Sequence, residues 1–327
     1  MSTLPEFSDV LAAAARIAPH ATATPVLRSR SLDALAGCEL HFKAEPLQRA
    51  GSFKFRGACN AVWALDEQEA ARGVVTHSSG NHGGALALAA RTRGIDCHVV
   101  VPEGAVEAKL AGIRAYGATL HRCEATIEAR EAACARVQAE TGANLIHPYT
   151  HPLVMAGQGT AAMELLASGN GDGFDAVLVP VGGGGLASGT CVAVAARSPR
   201  TRVVLAEPAG AAETAASLKA GRRITDFTPD TICDGLRGAM GAPNFELLSA
   251  HAPEVIVVED IDTIAAMRLL WQRLKLVVEP SSAIAFAAVL ARPDAFAGQR
   301  VGLILSGGNV DLGGLPALFA AGEAASG

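Results

Sequence analysis

A single lysine between two aromatic residues is the first group along the chain that could do covalent chemistry. Lys54 lies in the run GSFKFRG (residues 51–57), just before an apolar stretch that favours a helix. In apolar surroundings a lysine loses the solvation of its ammonium form, so its pKa falls and the neutral amine becomes available as a nucleophile or base. The same run also suits a lysine at a helix edge whose ammonium group reaches solvent.

A second candidate is the run SSGNHGG (residues 78–84), which follows the β-branched run GVVTH and precedes an alanine-rich helical stretch. Free backbone N–H groups at such a strand-to-helix junction suit a carboxylate or a phosphate. The amide of Asn81 could also hold a neutral oxygen or a phenolate. An ordinary helix N-cap would have the same composition, so this run alone leaves both interpretations open.

The third candidate consists of four consecutive glycines, Gly182, Gly183, Gly184 and Gly185. They would be costly inside a helix or strand, and the sequence offers no packing reason for all four. The run therefore indicates backbone that wraps an anion such as a phosphate. No Lys-Ser/Thr pair follows, which disfavours a P-loop. The pattern Gly-x-Gly-x-x-Ala, with Glu207 at the end of the next strand, keeps an NAD(P)-binding oxidoreductase as a rival, and a tight turn is a third interpretation.

The elements that would position these runs alternate along the chain. Seven short apolar runs alternate with alanine-rich helical segments, which is typical of an α/β fold with open, mostly parallel twisted sheets. Each run is apolar nearly throughout, so we expect each strand to be covered on both faces. The run SGGNVD (residues 306–311) begins where the last of these strands ends, at the edge where such sheets bind ligands.

Composition excludes several classes of partner. The 327 residues are 50% apolar, which is enough for two domains with sizeable cores. A formal net charge of -5 gives no reason to expect nucleic acid or an anionic membrane as partner. No run reaches the roughly 18 apolar residues of a membrane span. Seven cysteines without CxxC pairs, and the absence of a signal-peptide pattern, predict a cytoplasmic protein with reduced thiols.

Taken together and in this order, SFKFRG, SSGNHGG, VGGGGLASG, EPSSA and SGGNVD resemble the serine/threonine dehydratase and serine racemase family. The resemblance spans residues 25–312. It implies a pyridoxal 5'-phosphate enzyme of fold type II, with two α/β domains and the cofactor in the cleft between them. Residues 1–66 and 152–327 would form a large domain, and residues 67–151 a small inserted one.

The resemblance also implies roles for individual residues. Lys54 would carry the cofactor as a Schiff base, Asn81 would face its 3'-oxygen, and Ser306 its pyridine nitrogen. The full set expected to bind the cofactor is Phe53, Lys54, Asn81, Gly182, Gly183, Gly184, Gly185 and Ser306. The set expected to contact substrate is Ser78, Ser79, Gly80, His82, Arg130 and Tyr149.

Two of the implied substrate contacts bear on specificity. Arg130 matches an arginine that can approach the substrate side chain, and it could favour an acidic substrate through bidentate pairing. A solvated helix face would look the same in the sequence. Tyr149 stands where the family often has the asparagine of HPN, so the resemblance does not fix the side chain of the substrate.

A divalent-cation site is implied as well. Glu207, the Ala211 carbonyl and Glu213 match the family's site, where oxygen ligands would suit Mg²⁺ or Ca²⁺. Glu213 stands where an aspartate is usual. Two surface glutamates would be indistinguishable from such a site at the level of sequence.

The implied reaction is β-elimination. The freed Lys54 amine would remove the Cα proton and the 3-hydroxyl would leave as water, so that a 2-keto acid and ammonia result. The first prediction is an ammonia-lyase acting on a small amino acid of the L-serine or L-threonine type, assembled as a homodimer. Alternatives are a 3-hydroxyaspartate or phenylserine dehydratase and a serine racemase, because Ser79 would supply a hydroxyl on the face opposite the lysine.

Overall fold

Two sheets organise the chain, and the computed structural model describes residues 4–105, 107–169 and 173–324. The strands are β1 (Val26–Leu27), β2 (Glu39–Ala44), β3 (Val74–His77), β4 (Cys97–Pro102), β5 (Thr119–Cys123), β6 (Asn144–Leu145), β7 (Ala176–Pro180), β8 (Arg202–Pro208), β9 (Glu254–Val258) and β10 (Arg300–Leu305). The larger sheet has the order β1-β2-β10-β7-β8-β9, and the smaller has the order β5-β4-β3-β6. All pairs are parallel except β1 with β2. The predicted α/β class with open, mostly parallel sheets is confirmed.

Helices separate the strands. They are α1 (Phe7–Ile17), α2 (Arg30–Ala36), α3 (Lys54–Ala64), α4 (Glu67–Ala71), α5 (Asn81–Arg93), α6 (Glu107–Ala115), α7 (Ile127–Thr141), α8 (Pro152–Ala167), α9 (Gly185–Arg197), α10 (Glu213–Ala220), α11 (Ala242–His251), α12 (Asp260–Leu269), α13 (Pro280–Ala291), α14 (Pro293–Phe296) and α15 (Leu315–Ala324). One π-helical turn, Leu270–Leu274, extends α12. Gly142, with φ 72°, ends α7 as its composition predicts, because glycine adopts this left-handed conformation without strain.

The seven strands predicted from apolar runs are confirmed, and three others were missed. β1 and β6 are only two residues long, too short for any periodicity to mark them. β2 reads ELHFKA, and its lysine and histidine disguise a strand that is almost wholly buried. Lys43 can lie there because its ammonium group donates to the Glu164 carboxylate at 2.6 Å.

The expectation that every strand is covered on both faces is wrong for two of them. β5 and β9 lie at the edges of their sheets: β5 has only exposed and half-buried positions, and β9 mixes exposed, half-buried and buried ones. An edge strand has a neighbour on one side only, so the helices cover it incompletely. The central strands β7 and β10 are buried along nearly their whole length, and α13 packs against both of them.

The strands of the smaller sheet all fall between Val74 and Leu145, inside the stretch predicted as an inserted domain. The boundaries at residues 67 and 151 themselves stay a prediction. Within the described ranges, no helix is long and apolar enough to cross a membrane.

The topology explains why the chemically interesting runs can meet. SSGN follows β3 of the smaller sheet, whereas the glycine run and Ser306 follow β7 and β10 of the larger one. Ligand sites of open parallel sheets lie outside the carboxyl ends of the strands. A site built from all three runs must therefore lie between the two sheets.

Candidate active site

Lys54 is the first residue of α3, whereas the sequence placed the helical stretch a few residues later. The N–H of the preceding Phe53 donates to the Ser306 carbonyl at 2.9 Å, and Ser52 pairs with Gly307 in an isolated antiparallel bridge. The backbone entering α3 is thus tied to the end of β10. This tie brings together two residues predicted to bind the cofactor, Lys54 and Ser306.

The Lys54 amine lies in surroundings that disfavour its charge. Its Nζ donates to the Pro148 carbonyl at 3.0 Å and lies 5.1 Å from the centroid of the Phe53 ring. Burial lowers the pKa of Lys54 to about 8, and the Glu279 carboxylate opposes part of this shift. A large neutral fraction near pH 8 is what a nucleophile or base requires, and it is not expected of a lysine that reaches solvent.

Asn81, the first residue of α5 beside the smaller sheet, bonds to two residues near the larger sheet. Its Nδ2 donates to Glu279 Oε1 at 2.8 Å, and its Oδ1 accepts from Asn309 Nδ2 at 2.8 Å. Asn309 also donates to the Ala50 carbonyl at 2.8 Å. An amide nitrogen carries two hydrogens, so the second hydrogen of Asn81 Nδ2 is available to an oxygen in the cleft. This orientation suits the role predicted for Asn81.

The run around Asn81 borders a cavity of about 450 Å³, lined among others by Ser79, Gly80, Asn81, Tyr116 and Asn309. Ser78 Oγ accepts from the Gly80 N–H at 3.4 Å, a local turn that shapes the entrance to α5. Ser79 and Gly80 therefore stand at an opening large enough for a small ligand.

Two buried, uncharged imidazoles, those of His82 and His147, lie near Lys54. His82 Nε2 donates to the Ile146 carbonyl at 3.1 Å, and its buried Nδ1 has no hydrogen-bond partner in the described part of the chain. Burial, and next the charge of Lys54, hold the pKa of His82 well below its usual value. Burial, with the charges of His77 and Lys54, lowers the pKa of His147 to about 3. Both imidazoles are neutral at physiological pH.

The glycine loop packs more tightly than its sequence suggested. A Cβ at Gly182 would lie 2.7 Å from Leu236 Cα, and one at Gly183 would lie 2.5 Å from the Tyr149 ring. Gly184 has φ 91°, a left-handed conformation that favours glycine. Gly185 begins α9, and a Cβ there would lie 3.0 Å from Tyr149 Cα. The expectation that packing does not require all four glycines is wrong.

The loop nevertheless fits a phosphate. It lies at the N-terminus of α9, where the first N–H groups have no carbonyl partner within the helix. With a Cβ at Gly183 or Gly184 the backbone could not keep this shape. The Tyr149 ring packs onto the loop, a contact that the sequence did not predict for this residue.

Ser306 is nearly buried, and its hydroxyl donates to the Ser281 carbonyl at 3.4 Å, a long and weak hydrogen bond. A hydroxyl held this loosely can turn to another acceptor. Its placement between β10 and the start of α13 is compatible with a contact to a pyridine nitrogen.

Arg130 lies on α7, close enough to His77 for its charge to act on that imidazole. Its Nε is buried without a hydrogen-bond partner among the residues that the structure describes. Burial lowers the pKa of His77, and the charge of Arg130 lowers it further against the opposing effect of Glu131. The His77 ring contacts that of His147 at 5.0 Å, and the His147 ring contacts that of Tyr149 at 4.6 Å. Arg130 thus borders a chain of rings that leads to the glycine loop.

Glu207 and Glu213 come together, and both are buried. Glu207 accepts from the N–H groups of Thr214 and Ala215 at 2.6 and 2.9 Å, whereas Glu213 Oε2 has no partner within the described ranges. Burial, reinforced by the Glu207 charge, raises the pKa of Glu213 to about 8. Two buried like charges with an orphaned oxygen fit a divalent cation, together with the carbonyl of nearby Ala211. The alternative of two surface glutamates is wrong.

Three groups were missed by sequence reasoning: Glu279, Asn309 and the Pro148 carbonyl. Glu279 lies in the run EPSSA, where an acid before proline at a helix start indicates only the beginning of α13. Asn309 lies in SGGNVD, a run predicted to border a ligand site, but nothing in the sequence indicated its contact with Asn81. A backbone carbonyl such as that of Pro148 leaves no mark in a sequence.

We predict that the Lys54 amine of cofactor-free protein reacts with an aldehyde at a rate that rises with pH through a midpoint near 8, because burial lowers its pKa to about this value. Glu279→Gln should move the midpoint to lower pH, since its carboxylate favours the charged amine. Reductive trapping followed by peptide mass spectrometry would measure the reaction at Lys54 alone.

Glu259→Gln is the matched control, because Glu259 is exposed at the end of β9 and should leave the midpoint unchanged. A midpoint near that of an ordinary lysine, about 10.4, would contradict the desolvated amine.

Comparison with known proteins places these features in a family. Residues 17–307 match the family described as pyridoxal-phosphate dependent enzyme. A beta-hydroxyaspartate dehydratase of Paracoccus denitrificans (strain Pd 1222) is 47% identical over 313 residues, which cover 96% of this chain and 99% of that protein. An L-threo-3-hydroxyaspartate ammonia-lyase of Saccharomyces cerevisiae (strain ATCC 204508 / S288c) is 40% identical, with 94% of each chain covered.

A solved structure agrees with these matches. Serine racemase from Dictyostelium discoideum superposes with a TM-score of 0.89 at 45% identity, covering 94% of this chain and 99% of that one. The rival prediction of an NAD(P)-binding oxidoreductase is wrong, because the family match includes the glycine run on which it rested. The chain belongs to the fold-type II pyridoxal-phosphate dependent enzymes, within the group of hydroxy-amino-acid dehydratases and serine racemases.

Proposed function

We propose that the protein is a dehydratase that removes water from 3-hydroxyaspartate, with release of a 2-keto acid and ammonia. The observation that carries the substrate assignment is Arg130, whose buried Nε has no partner in the described chain. A buried guanidinium donor without a partner is costly, and a second carboxylate on the substrate would satisfy it. Relatives named for 3-hydroxyaspartate support the same choice over L-serine and L-threonine.

Pyridoxal phosphate, when bound, supplies the electron sink that stabilises negative charge at the substrate Cα. We propose that Lys54 attaches it, that Asn81 holds its 3'-oxygen and Ser306 its pyridine nitrogen, and that the glycine loop holds its phosphate. The fit of these groups rests on the available Asn81 hydrogen and on the loop at the N-terminus of α9.

The side chains and backbone of the protein supply the remaining functions, which are proton transfer and substrate binding. The Lys54 amine, with its pKa near 8, can take the Cα proton near neutral pH and hold it as an ammonium on the Pro148 carbonyl. Backbone groups of Ser79 and Gly80 at the mouth of α5 would bind the substrate α-carboxylate. The neutral His82 and His147 exclude a competing positive charge from beside the amine.

We predict that Arg130→Ala lowers kcat/KM for 3-hydroxyaspartate by about 10- to 100-fold, the value of one or two hydrogen bonds to a charged group. L-serine, which has no second carboxylate, should be affected less than about threefold. A keto-acid assay with 3-hydroxyaspartate, L-serine, L-threonine and phenylserine would measure this. Lys54→Ala should abolish turnover of all four.

Arg136→Ala is the matched control, since Arg136 lies on the same helix and is 62% exposed. Equal losses for 3-hydroxyaspartate and L-serine in Arg130→Ala would contradict the assignment of substrate. Absence of keto acid from every 3-hydroxy amino acid would contradict the dehydratase itself.

Racemisation is a second candidate, favoured by Ser79 at the cavity and by the likeness to a serine racemase structure. A hydroxyl on the face opposite Lys54 could return a proton from that side. If Ser79 returns this proton, Ser79→Ala should reduce D-serine formation by at least about 10-fold, as measured by chiral chromatography, while release of the 2-keto acid persists. The elimination rate of the same variant serves as its control, and parallel loss of both activities would count against racemisation through Ser79.

We also propose that a divalent cation binds between Glu207, the Ala211 carbonyl and Glu213. Without it, the raised pKa of Glu213 gives stability that is fully present below its unfolded value of 4.5 and lost as pH rises through about 8. Mg²⁺ or Ca²⁺ would replace that proton, so their stabilising effect should be larger above pH 8 than about two units lower.

Thermal melts of the chelated and cation-loaded protein at both pH values would measure the effect. Glu213→Gln should remove it, whereas Glu246→Gln, an exposed change on α11, should not. A cation effect that is independent of pH and survives Glu213→Gln would contradict the site. The predictions of a homodimer and of a cytoplasmic location stay predictions.

A further inference from the structure

A buried network of four charges surrounds Arg56, two residues after Lys54. Arg56 and Glu45 are fully buried, Lys43 is 1% exposed, and the Glu164 side chain is 30% exposed. Two cations and two anions make the network neutral overall. It lies behind α3, among β2, α8 and the segment that precedes β1.

Arg56 makes two paired carboxylate contacts with a single guanidinium. Its Nε and Nη2 donate to Glu45 at 2.7 and 2.8 Å, and its Nη1 and Nη2 donate to Glu164 at 2.6 and 2.8 Å. Nη1 also donates to Thr160 Oγ1 at 3.2 Å. Lys43 Nζ completes the set by donating to Glu164 Oε2 at 2.6 Å. Bidentate contacts of this kind fix the plane of the guanidinium as well as its position.

Net stability alone does not account for such a network. Removing four charged groups from water costs about as much as their mutual attraction returns, and apolar replacements of similar volume are often equally stable. What apolar replacements lack is direction, because dispersion contacts allow one helix to slide or turn against another. The network is therefore suited to fixing the orientation of the element that carries Arg56.

That element is α3, and its geometry connects Arg56 to Lys54. Successive residues of an α-helix are about 100° apart, so side chains two positions apart point to nearly opposite sides of the axis. Lys54 points towards the cleft and contacts the Pro148 carbonyl, whereas Arg56 points to the rear and contacts Glu45 and Glu164. Any rotation of α3 about its axis would move both side chains by the same angle.

A second contact blocks sliding of α3 along α8. A Cβ at Gly57 would lie 2.7 Å from the Val154 carbonyl, and the Gly57 N–H donates to Gln158 Oε1 at 3.2 Å. At the other end, the Phe53 N–H is held by the Ser306 carbonyl. The hydrogen bonds of Phe53 and Gly57 restrain the position of α3 along α8, and the paired contacts of Arg56 add a restraint on its rotation.

We infer that Arg56, through its paired contacts to Glu45 and Glu164, is a positioning residue that sets the rotation of α3 and thereby aims the Lys54 amine into the cleft. The inference rests on the role proposed for Lys54. A displacement of about 1 Å at a reacting group can cost roughly 100-fold in rate. Arg56→Lys keeps the charge but loses the fork that contacts two carboxylates at once.

The experiment compares holoenzyme of the wild type and of Arg56→Lys. We expect kcat to fall by about 100-fold while KM changes by less than about threefold, because the protein groups that bind substrate lie outside α3 and keep their places. Borohydride should still trap the cofactor on Lys54, and the lower pH midpoint of kcat/KM should move away from the wild-type value. A network that only supported the fold would leave the activity per trapped cofactor and the pH midpoint unchanged.

Glu164→Gln is the second variant, since its partly exposed side chain makes failure to fold less severe. It removes one charge that faces Arg56 and should lower kcat by about 10-fold. Arg28→Lys is the matched control, because Arg28 is 48% exposed and pairs with Asp33 and Glu39 on the surface.

Three outcomes would overturn the inference. Wild-type kcat in folded Arg56→Lys would show that Lys54 needs no such support. Loss of activity in strict proportion to lost folded protein, in both variants, would assign the network to stability alone, as would failure of both variants to fold. By contrast, retention of trapped cofactor in Lys54→Ala would reject the role of Lys54 itself, so the two failures are distinguishable.

Discussion

The poor solvation of one amine is the condition on which the site depends. Lys54 can act as a base near neutral pH only because burial lowers its pKa to about 8. Burial in turn requires that groups from both sheets close around it, among them the Pro148 carbonyl and the neutral imidazoles of His82 and His147. The contact of Asn81 with Glu279 joins the two sides of this enclosure.

The interior contains two clusters of charged side chains, and they differ in how the charges are compensated. Around Arg56, two cations and two anions are matched, so the network needs no further partner. At Glu207 and Glu213, two buried carboxylates lie together, and Glu213 Oε2 has no hydrogen bond within the described part of the chain. Such a pair must retain a proton or acquire a cation. The first arrangement gives orientation, and the second makes stability depend on pH and would favour the proposed cation.

The substrate specificity that we propose rests on residues beside or just after the smaller sheet. Arg130 offers a buried donor without a partner in the described ranges, and its charge acts on His77, whose ring contacts that of His147. Tyr149 continues this row of rings and packs on Gly183, so the residue that replaces the family's asparagine also shapes the glycine loop. The proposed contacts to substrate and to cofactor therefore share one side chain, that of Tyr149.

The sequence by itself determined the alternation of apolar strands and helices, and the order of the motifs around Lys54, Asn81, the four glycines and Ser306. These features are local, since periodicity and turn composition follow from neighbouring residues. The sequence did not reveal the two-residue strands β1 and β6, which are too short for periodicity. It did not reveal β2 either, because the buried position of Lys43 depends on its contact with Glu164 of the distant helix α8. Tertiary structure alone decided that Glu279 meets Asn81, that Glu45 and Glu164 meet Arg56, and that four glycines are required by packing. Each of these depends on contacts between residues far apart in the chain, which no local sequence pattern records.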